Sequence, residues 1–232
     1  MKLLIYQYKI LFSPVKWLLS GAFIVFIPFI FYAPTELDVL NLYEIYVPFV
    51  SIILFPDMIW VDHYAHATEV LATRRRRGKL LLGYRFLVML LFFIAMLVVG
   101  WLLLRLNLSP HGYEYSSSPL SFLTLLYVAL PGFLFSGALS LSCGVFFRSP
   151  EIGYLAGLAN WMYWNINMEQ DNWLNLFSYA NQLSVLPSKW TLSGLGLILI
   201  FLCGNAMFRV HVSFKLASRV RKGLGKVIDR LV

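Results

Sequence analysis

Long apolar stretches separated by short polar segments dominate this chain of 232 residues. Most of them approach the roughly 20 residues that a helix needs to cross a bilayer. The stretches lie near 15–32, 42–60, 84–106, 120–147, 152–167 and 190–208. This pattern predicts an all-α integral membrane protein with six transmembrane helices, of which the fifth is the shortest.

The N-terminal segment 1–14 is too short to span a membrane and has a polar face at helical spacing. That face consists of Lys2, Tyr6, Lys9 and Ser13. A helix with one polar face and an apolar remainder lies in the plane of the membrane interface. Pro14 is expected to end it. The sequence therefore predicts an amphipathic helix ahead of the first span.

Composition supports a membrane protein. Hydrophobic residues make up 59% of the chain and charged residues only 13%, against about 45–50% and about 25% in soluble domains. The net charge is +8, but the basic residues cluster at the ends of apolar stretches. They are expected to set topology and contact anionic lipid rather than nucleic acid. The length fits one domain, 1–232.

The distribution of basic residues predicts the orientation. Lys and Arg accumulate in cytoplasmic segments. With the N-terminus inside, seventeen of the nineteen basic residues fall in predicted cytoplasmic segments, the exceptions being Arg105 and Lys189. Both termini are then cytoplasmic, including the basic tail 209–232. The outer segments are predicted at 33–41, 107–119 and 168–189.

The segment 62–83 lies between two apolar stretches and is predicted to be cytoplasmic. It carries acidic residues first and arginines last, and this order matches the dipole of a helix. Its notable polar residues are Asp62, Thr68, Glu69, Arg74, Arg75 and Arg76. Such a segment is suited to binding a soluble partner, or it is a plain loop that only fixes topology.

Around 57–85 the sequence resembles the first cytoplasmic loop of ABC-2 type exporter permeases. That family has an acidic residue at the inner end of span two, a Gly-Thr-x-Glu-Leu-Leu stretch, a Pro with Arg residues, and Leu-Leu-Leu-Gly-Lys before span three. Here the matching segments are Asp62, Ala67-Thr68-Glu69-Val70-Leu71, Arg74 to Arg77 and Leu80-Leu81-Leu82-Gly83. The chain departs from the pattern because Ala67 replaces the Gly, the Pro is missing and Tyr84 replaces the Lys.

The resemblance implies a function. Residues 1–14 would be the family's elbow helix and 62–83 its coupling segment, with Asp62, Thr68, Glu69 and Arg74 to Arg76 contacting an ABC ATPase. The chain would be the permease subunit of an ATP-driven exporter in the cell membrane of a bacterium, paired with a second copy or a sibling permease. The aromatic content of 17% suits an amphipathic or hydrophobic cargo, such as a peptide, an antibiotic or a lipid. It would not be an enzyme, and ATP and Mg would be bound by the partner, since this chain has no phosphate loop.

Two other functions stay open at this point. His63 and His66 at a spacing of three, with Asp57, Asp62 and Glu69 nearby, are candidate metal ligands of a membrane-embedded metalloenzyme. The alternative for these residues is a polar helix end without metal. A membrane scaffold or sensor subunit that does not transport is the third possibility. No catalytic residue or metal site is assigned.

Small residues predict packing faces. Gly153 and Gly157 form a GxxxG motif and are candidates for a dimer contact, with packing inside the chain as the alternative. A stripe of small residues in span four favours packing within the chain; it consists of Gly132, Ser136, Ser140 and Gly144.

Glu44 and Asp57 are acids inside apolar stretches, which makes them functional candidates, although both lie close enough to an interface to be solvated. The outer stretch 168–189 is apolar enough to return into the membrane and resembles the re-entrant outer helices of ABC-2 permeases; the alternative is an ordinary external loop.

Overall fold

The computed structural model describes residues 2–11, 14–64, 75–106, 120–180 and 186–206, and over these ranges it is helical with no strand. Eight helices occur in this part of the chain: α1 Lys2–Leu11, α2 Pro14–Ile30, α3 Glu36–Leu54, α4 Asp57–Tyr64, α5 Arg75–Arg105, α6 Phe122–Phe147, α7 Pro150–Ile166 and α8 Leu186–Ala206. The basic tail 209–232 lies outside the described residues.

Four helical stretches are long and apolar enough to cross a membrane, which supports a membrane-embedded protein. They are Glu36–Val61, Leu80–Arg105, Phe122–Phe147 and Leu186–Ala206. Helices α2 and α7 have 17 residues each, and at 1.5 Å per residue each extends about 26 Å, less than the roughly 30 Å of a hydrocarbon core. Six spans, an interfacial α1 and cytoplasmic termini stay predictions.

Helix α3 begins six residues earlier than the span predicted at 42–60, so the polar segment predicted at 33–41 is shorter. The cause is a capping box at the helix start. The backbone N–H of Asp38 donates to Thr35 Oγ1 at 3.2 Å, and the backbone N–H of Thr35 donates to Asp38 Oδ2 at 3.0 Å. This reciprocal pair satisfies two backbone donors that a helix start leaves open. The Thr-x-x-Asp spacing was the available signal in the sequence.

Two short connections join helices that follow each other in the chain. Only Phe55 and Pro56 separate α3 from α4. Helices α6 and α7 reverse direction at Arg148, whose φ of 58° is left-handed, followed by Ser149 as the N-cap of α7. We call one end of the bundle the α1 end; it holds α1, the start of α2, α4, the start of α5 and the α6–α7 reversal. The opposite end, near the start of α3, is the Glu44 end.

The core lies where α3, α5 and α6 meet. Phe93 of α5 stacks on Phe133 of α6 with ring centroids 4.0 Å apart, and Phe55 meets the same ring edge-on at 5.4 Å. The small-residue stripe of α6 is buried, as the sequence predicts for a face that packs within the chain. Gly137, one residue from the stripe, leaves room for the Phe55 ring. A Cβ built there would lie 2.5 Å from two atoms of that ring.

We therefore expect Gly137→Ala to destabilise the protein. Phe55 is fully buried and has little room to withdraw, so overpacking should cost about 1–3 kcal/mol. Thermal unfolding of the detergent-solubilised chain measures this, at about 2–4 °C per kcal/mol for a chain of this size.

Gly194→Ala on α8 is the matched control, because a Cβ there meets no atom within 4 Å. It should leave the melting temperature unchanged or raise it, since Ala favours a helix over Gly. Equal melting temperatures for Gly137→Ala and Gly194→Ala would contradict the packing of α3 on α6.

Candidate functional site: polar clusters at the two ends of the bundle

Asp57, at the start of α4, connects three helices at the α1 end. Its carboxylate pairs with the ammonium of Lys16 from α2. The hydroxyl of Tyr154 from α7 donates to its other oxygen at 3.0 Å. The Asp57 side chain is 19% exposed and that of Lys16 39% exposed, so this pair lies between core and solvent. In the sequence Asp57 could be solvated or buried; in the structure it is half-buried and paired.

Arg85 connects two further helices, α1 and α5, to α4 at the same end. The residue belongs to α5 and is only 3% exposed. Its Nε donates to Gln7 Oε1 of α1 at 2.9 Å, and its Nη1 donates to the carbonyl oxygen of Met58 in α4 at 2.5 Å. A buried charge is tolerated only when such bonds replace its hydration. Arg85 thus holds α5 against both α1 and α4.

We call this set the α1-end cluster; it consists of Gln7, Lys16, Asp57, Met58, Arg85 and Tyr154. It joins α1, α2, α4, α5 and α7. Helices α4 and α5 are the two helices that flank segment 65–74, and the cluster fixes them to each other.

The predicted coupling residues lie next to this cluster or outside the described residues. Asp62 belongs to α4, and Arg75 and Arg76 begin α5, but their side chains are outside the described part of the structure. Thr68, Glu69 and Arg74 are outside it altogether, as is His66 of the candidate metal site. Within the described residues, no group of three His, Cys, Asp or Glu side chains is arranged to hold a metal ion.

Gly153 and Gly157 pack inside the chain. A Cβ on Gly153 would lie 2.5 Å from the carbonyl oxygen of Ser140 in α6, and one on Gly157 would lie 2.8 Å from Ile52 in α3. Ser140 Oγ also donates to the Gly153 carbonyl at 2.8 Å. The GxxxG face of α7 is therefore covered by α6 and α3. A dimer contact through these glycines stays a prediction, and it would need an additional exposed face of α7.

A buried ion pair lies at the Glu44 end. The Glu44 carboxylate pairs with the ammonium of Lys189, and each side chain is 1% exposed. Glu44 also accepts the backbone N–H groups of Tyr179 at 2.9 Å and Ala180 at 2.7 Å, while Lys189 donates to the Leu176 carbonyl at 3.3 Å. We call this set the Glu44 cluster. Of the two positions left open for Glu44, solvated or buried, the structure has the buried one.

Over 167–180, after α7, the chain folds as turns rather than as the re-entrant helix that the resemblance implies. The Asn175 side chain stabilises these turns, because its Nδ2 donates to the carbonyls of Met168 at 2.7 Å and Gln170 at 2.8 Å. Leu176 and Phe177 follow and are fully buried. The side-chain amide can replace helical hydrogen bonds here, so the segment enters the protein without forming a helix over 167–180.

Sequence reasoning missed the Glu44 cluster because its two charges are 145 positions apart. A signal existed: Glu44 and Lys189 have opposite charges and both border apolar stretches, and a charge in such a place needs a partner. The α1-end cluster was missed in the same way. Lys16 and Arg85 were interpreted as basic residues that set topology, and Arg85 also as a substitute for the family's Lys at position 84.

No family model, curated protein or solved structure matches this chain.

We expect Glu44→Gln to destabilise the protein by about 3–5 kcal/mol, because it leaves the Lys189 ammonium buried without its counter-ion. The double variant Glu44→Gln/Lys189→Met should recover part of this loss. It removes both charges and keeps one amide oxygen, which can accept one of the N–H groups of Tyr179 and Ala180. Thermal unfolding in detergent compares the variants.

Glu169→Gln is the control for the pair, since Glu169 is exposed at the same end of the bundle. It should change stability by less than about 0.5 kcal/mol. A double variant as unstable as Glu44→Gln alone would show that charge burial is not the cause.

We also expect Arg85→Lys to destabilise the chain by about 1–3 kcal/mol. An ammonium has no planar fork with which to reach Gln7 Oε1 and the Met58 carbonyl together, and an unsatisfied buried group costs about this much. Arg105→Lys is the control, because Arg105 is exposed and lies over the Trp101 ring at 4.9 Å. Equal losses in the two variants would contradict the role given to Arg85.

Proposed function

We propose that this chain is the membrane-spanning permease subunit of an ATP-driven exporter of the ABC-2 type. Two independent features support the proposal. One is the resemblance of 57–85 to the coupling loop of that family. The other, which carries the most weight, is the α1-end cluster. It fastens the helices on both sides of this loop to each other and to three further helices.

The hydrogen bonds and the ion pair of the α1-end cluster indicate which helices would move if a partner displaced the loop. Arg85 and the Met58 carbonyl hold α4 and α5 together beside the loop, so both helices would move as one. Asp57 passes the displacement to α2 through Lys16 and to α7 through Tyr154. Gln7 passes it to α1. A loop without such connections would absorb the displacement by bending locally.

The Glu44 cluster supplies the fixed part of this arrangement. It joins α3, the 167–180 segment and α8 through an ion pair and three hydrogen bonds to backbone groups. Breaking it would leave charges without partners in an apolar bundle. We therefore propose that motion at the α1 end changes the spacing of helices while the Glu44 end keeps its internal contacts.

ATP and Mg are assigned to ABC ATPase subunits, and a second copy or a sibling permease would complete the transmembrane unit. The cargo class is an amphipathic or hydrophobic compound such as a peptide, an antibiotic or a lipid, leaving the cytoplasm or inner leaflet of a bacterial cell membrane. This class follows from the resemblance and from the apolar faces that the helices expose.

The proposal is tested by Glu69→Arg, with Glu169→Arg as the control at the opposite end of the bundle. A photo-activatable residue replaces Ala72 in both variants and in the parent chain, each expressed in the source cell. We expect the parent and Glu169→Arg to crosslink to a polypeptide with phosphate-loop sequence and ATPase activity. Glu69→Arg should reduce this product at least tenfold, because it reverses the charge that the partner contacts.

Membrane insertion is measured in the same samples as the yield of folded chain, and it should be equal in all three. Unchanged crosslinking in Glu69→Arg would contradict the proposed coupling segment. A crosslinked product without ATPase activity would contradict the exporter class. Stoichiometric zinc or iron in the purified chain would favour the metalloenzyme instead.

A further inference from the structure

An open apolar groove of 690 Å³ lies on the outside of the α2–α5 pair. Its walls are formed by Leu18 and Phe26 of α2 and by Val99 of α5, all of which are exposed. Gly21 forms part of the floor; a Cβ there would lie 2.9 Å from Met96 Sδ. Its volume is in the range of about 300–1,000 Å³ that is usual for sites of small molecules.

The groove has the length of an acyl chain in one leaflet. Along α2 it extends from Pro14 to Phe26, and twelve residues of helix rise about 18 Å. Half of a roughly 30 Å hydrocarbon core is about 15 Å. The groove therefore runs through about one leaflet from the α1 end.

The end of the groove near α1 is polar and aromatic. Trp17 stacks on Tyr8 with ring centroids 4.6 Å apart and meets Phe92 edge-on at 4.2 Å. Trp17 Nε1 donates to the Tyr8 carbonyl at 3.2 Å. Tyr and Trp are enriched at the level of lipid headgroups. Lys9, which is exposed, is the one charged residue among the described residues that line the groove.

We infer that this groove is a binding site for an anionic phospholipid. The acyl chains lie against Leu18, Ala22 and Val99, and the phosphate lies beside the Lys9 ammonium. The inference depends on membrane embedding and not on the proposed export function. An anionic headgroup near a membrane surface gains about 1 kcal/mol from each Lys or Arg, which favours it over a zwitterionic one.

A second copy of the chain fits the groove less well than a lipid does. A two-fold axis normal to the membrane would place the same patch of both copies at the same depth. Two Lys9 ammonium groups would then meet at one interface, where like charges repel. A phospholipid instead brings a negative charge to Lys9 and hydrocarbon to the walls.

The test is native mass spectrometry of the full chain in mild detergent with equal amounts of dioleoyl phosphatidylglycerol and phosphatidylcholine. We expect the parent chain to retain one phosphatidylglycerol that Ala22→Phe loses, because the ring occupies the groove. Val99→Phe fills the same space from α5 and should act alike if Ala22→Phe folds poorly. Lys9→Gln should keep a lipid and lower the preference for phosphatidylglycerol about fivefold.

Two control variants make a similar change of side-chain size or of charge at positions outside the groove. Ile198→Phe enlarges an exposed side chain of α8, and Arg105→Gln removes an exposed cation at the Glu44 end; both should bind lipid as the parent does. Equal retention by Ala22→Phe, Val99→Phe and the parent would overturn the inference. So would a disulfide-linked pair from Ala22→Cys in a chain whose Cys143 and Cys203 are replaced by Ser, since the groove would then face a second copy.

Discussion

The buried guanidinium of Arg85 is the constraint on which the α1 end of this bundle depends. It carries a charge at 3% exposure, so it must have acceptors in fixed positions. Those acceptors come from α1 and α4, which are far from Arg85 in the sequence. The position of α5 is consequently set by a side chain of α1 and a backbone carbonyl of α4. Near Arg85, the Asp57 carboxylate pairs with Lys16 of α2 and accepts a hydrogen bond from Tyr154 of α7.

At the Glu44 end, buried charged groups are likewise paired and hydrogen-bonded. Glu44 and Lys189 neutralise each other in the interior. The Glu44 carboxylate also accepts hydrogen bonds from two backbone N–H groups of the 167–180 segment. Irregular backbone is tolerated inside a protein where its polar groups are hydrogen-bonded. Glu44 and the Asn175 side chain provide such bonds for the 167–180 segment. The bundle thus has a polar cluster at each end and an aromatic and small-residue core between them.

The sequence predicts the helical class well because apolar length is a local property. The capped start of α3 and the small-residue stripe of α6 also carry local signals. The clusters do not, because each joins residues from several helices, and a single sequence gives no rule for pairing Glu44 with Lys189 or Arg85 with Gln7. For the outer stretch 168–189, which is apolar enough to return into the membrane, the resemblance implied re-entrant helices; over 167–180 the structure has turns instead. The Asn175 side chain stabilises these turns through bonds to the carbonyls of Met168 and Gln170.

The coupling proposal combines a resemblance in the 57–85 region with the way in which α4 and α5 are fastened. The most direct test of it is the sidedness of the loop. Cys143 and Cys203 are replaced by Ser, Ala72 is replaced by Cys, and a membrane-impermeant maleimide is applied to right-side-out and inverted vesicles. The account predicts labelling in inverted vesicles alone. Labelling of Ala72→Cys in right-side-out vesicles would place the loop outside the cell, beyond any ATPase, and would contradict the account.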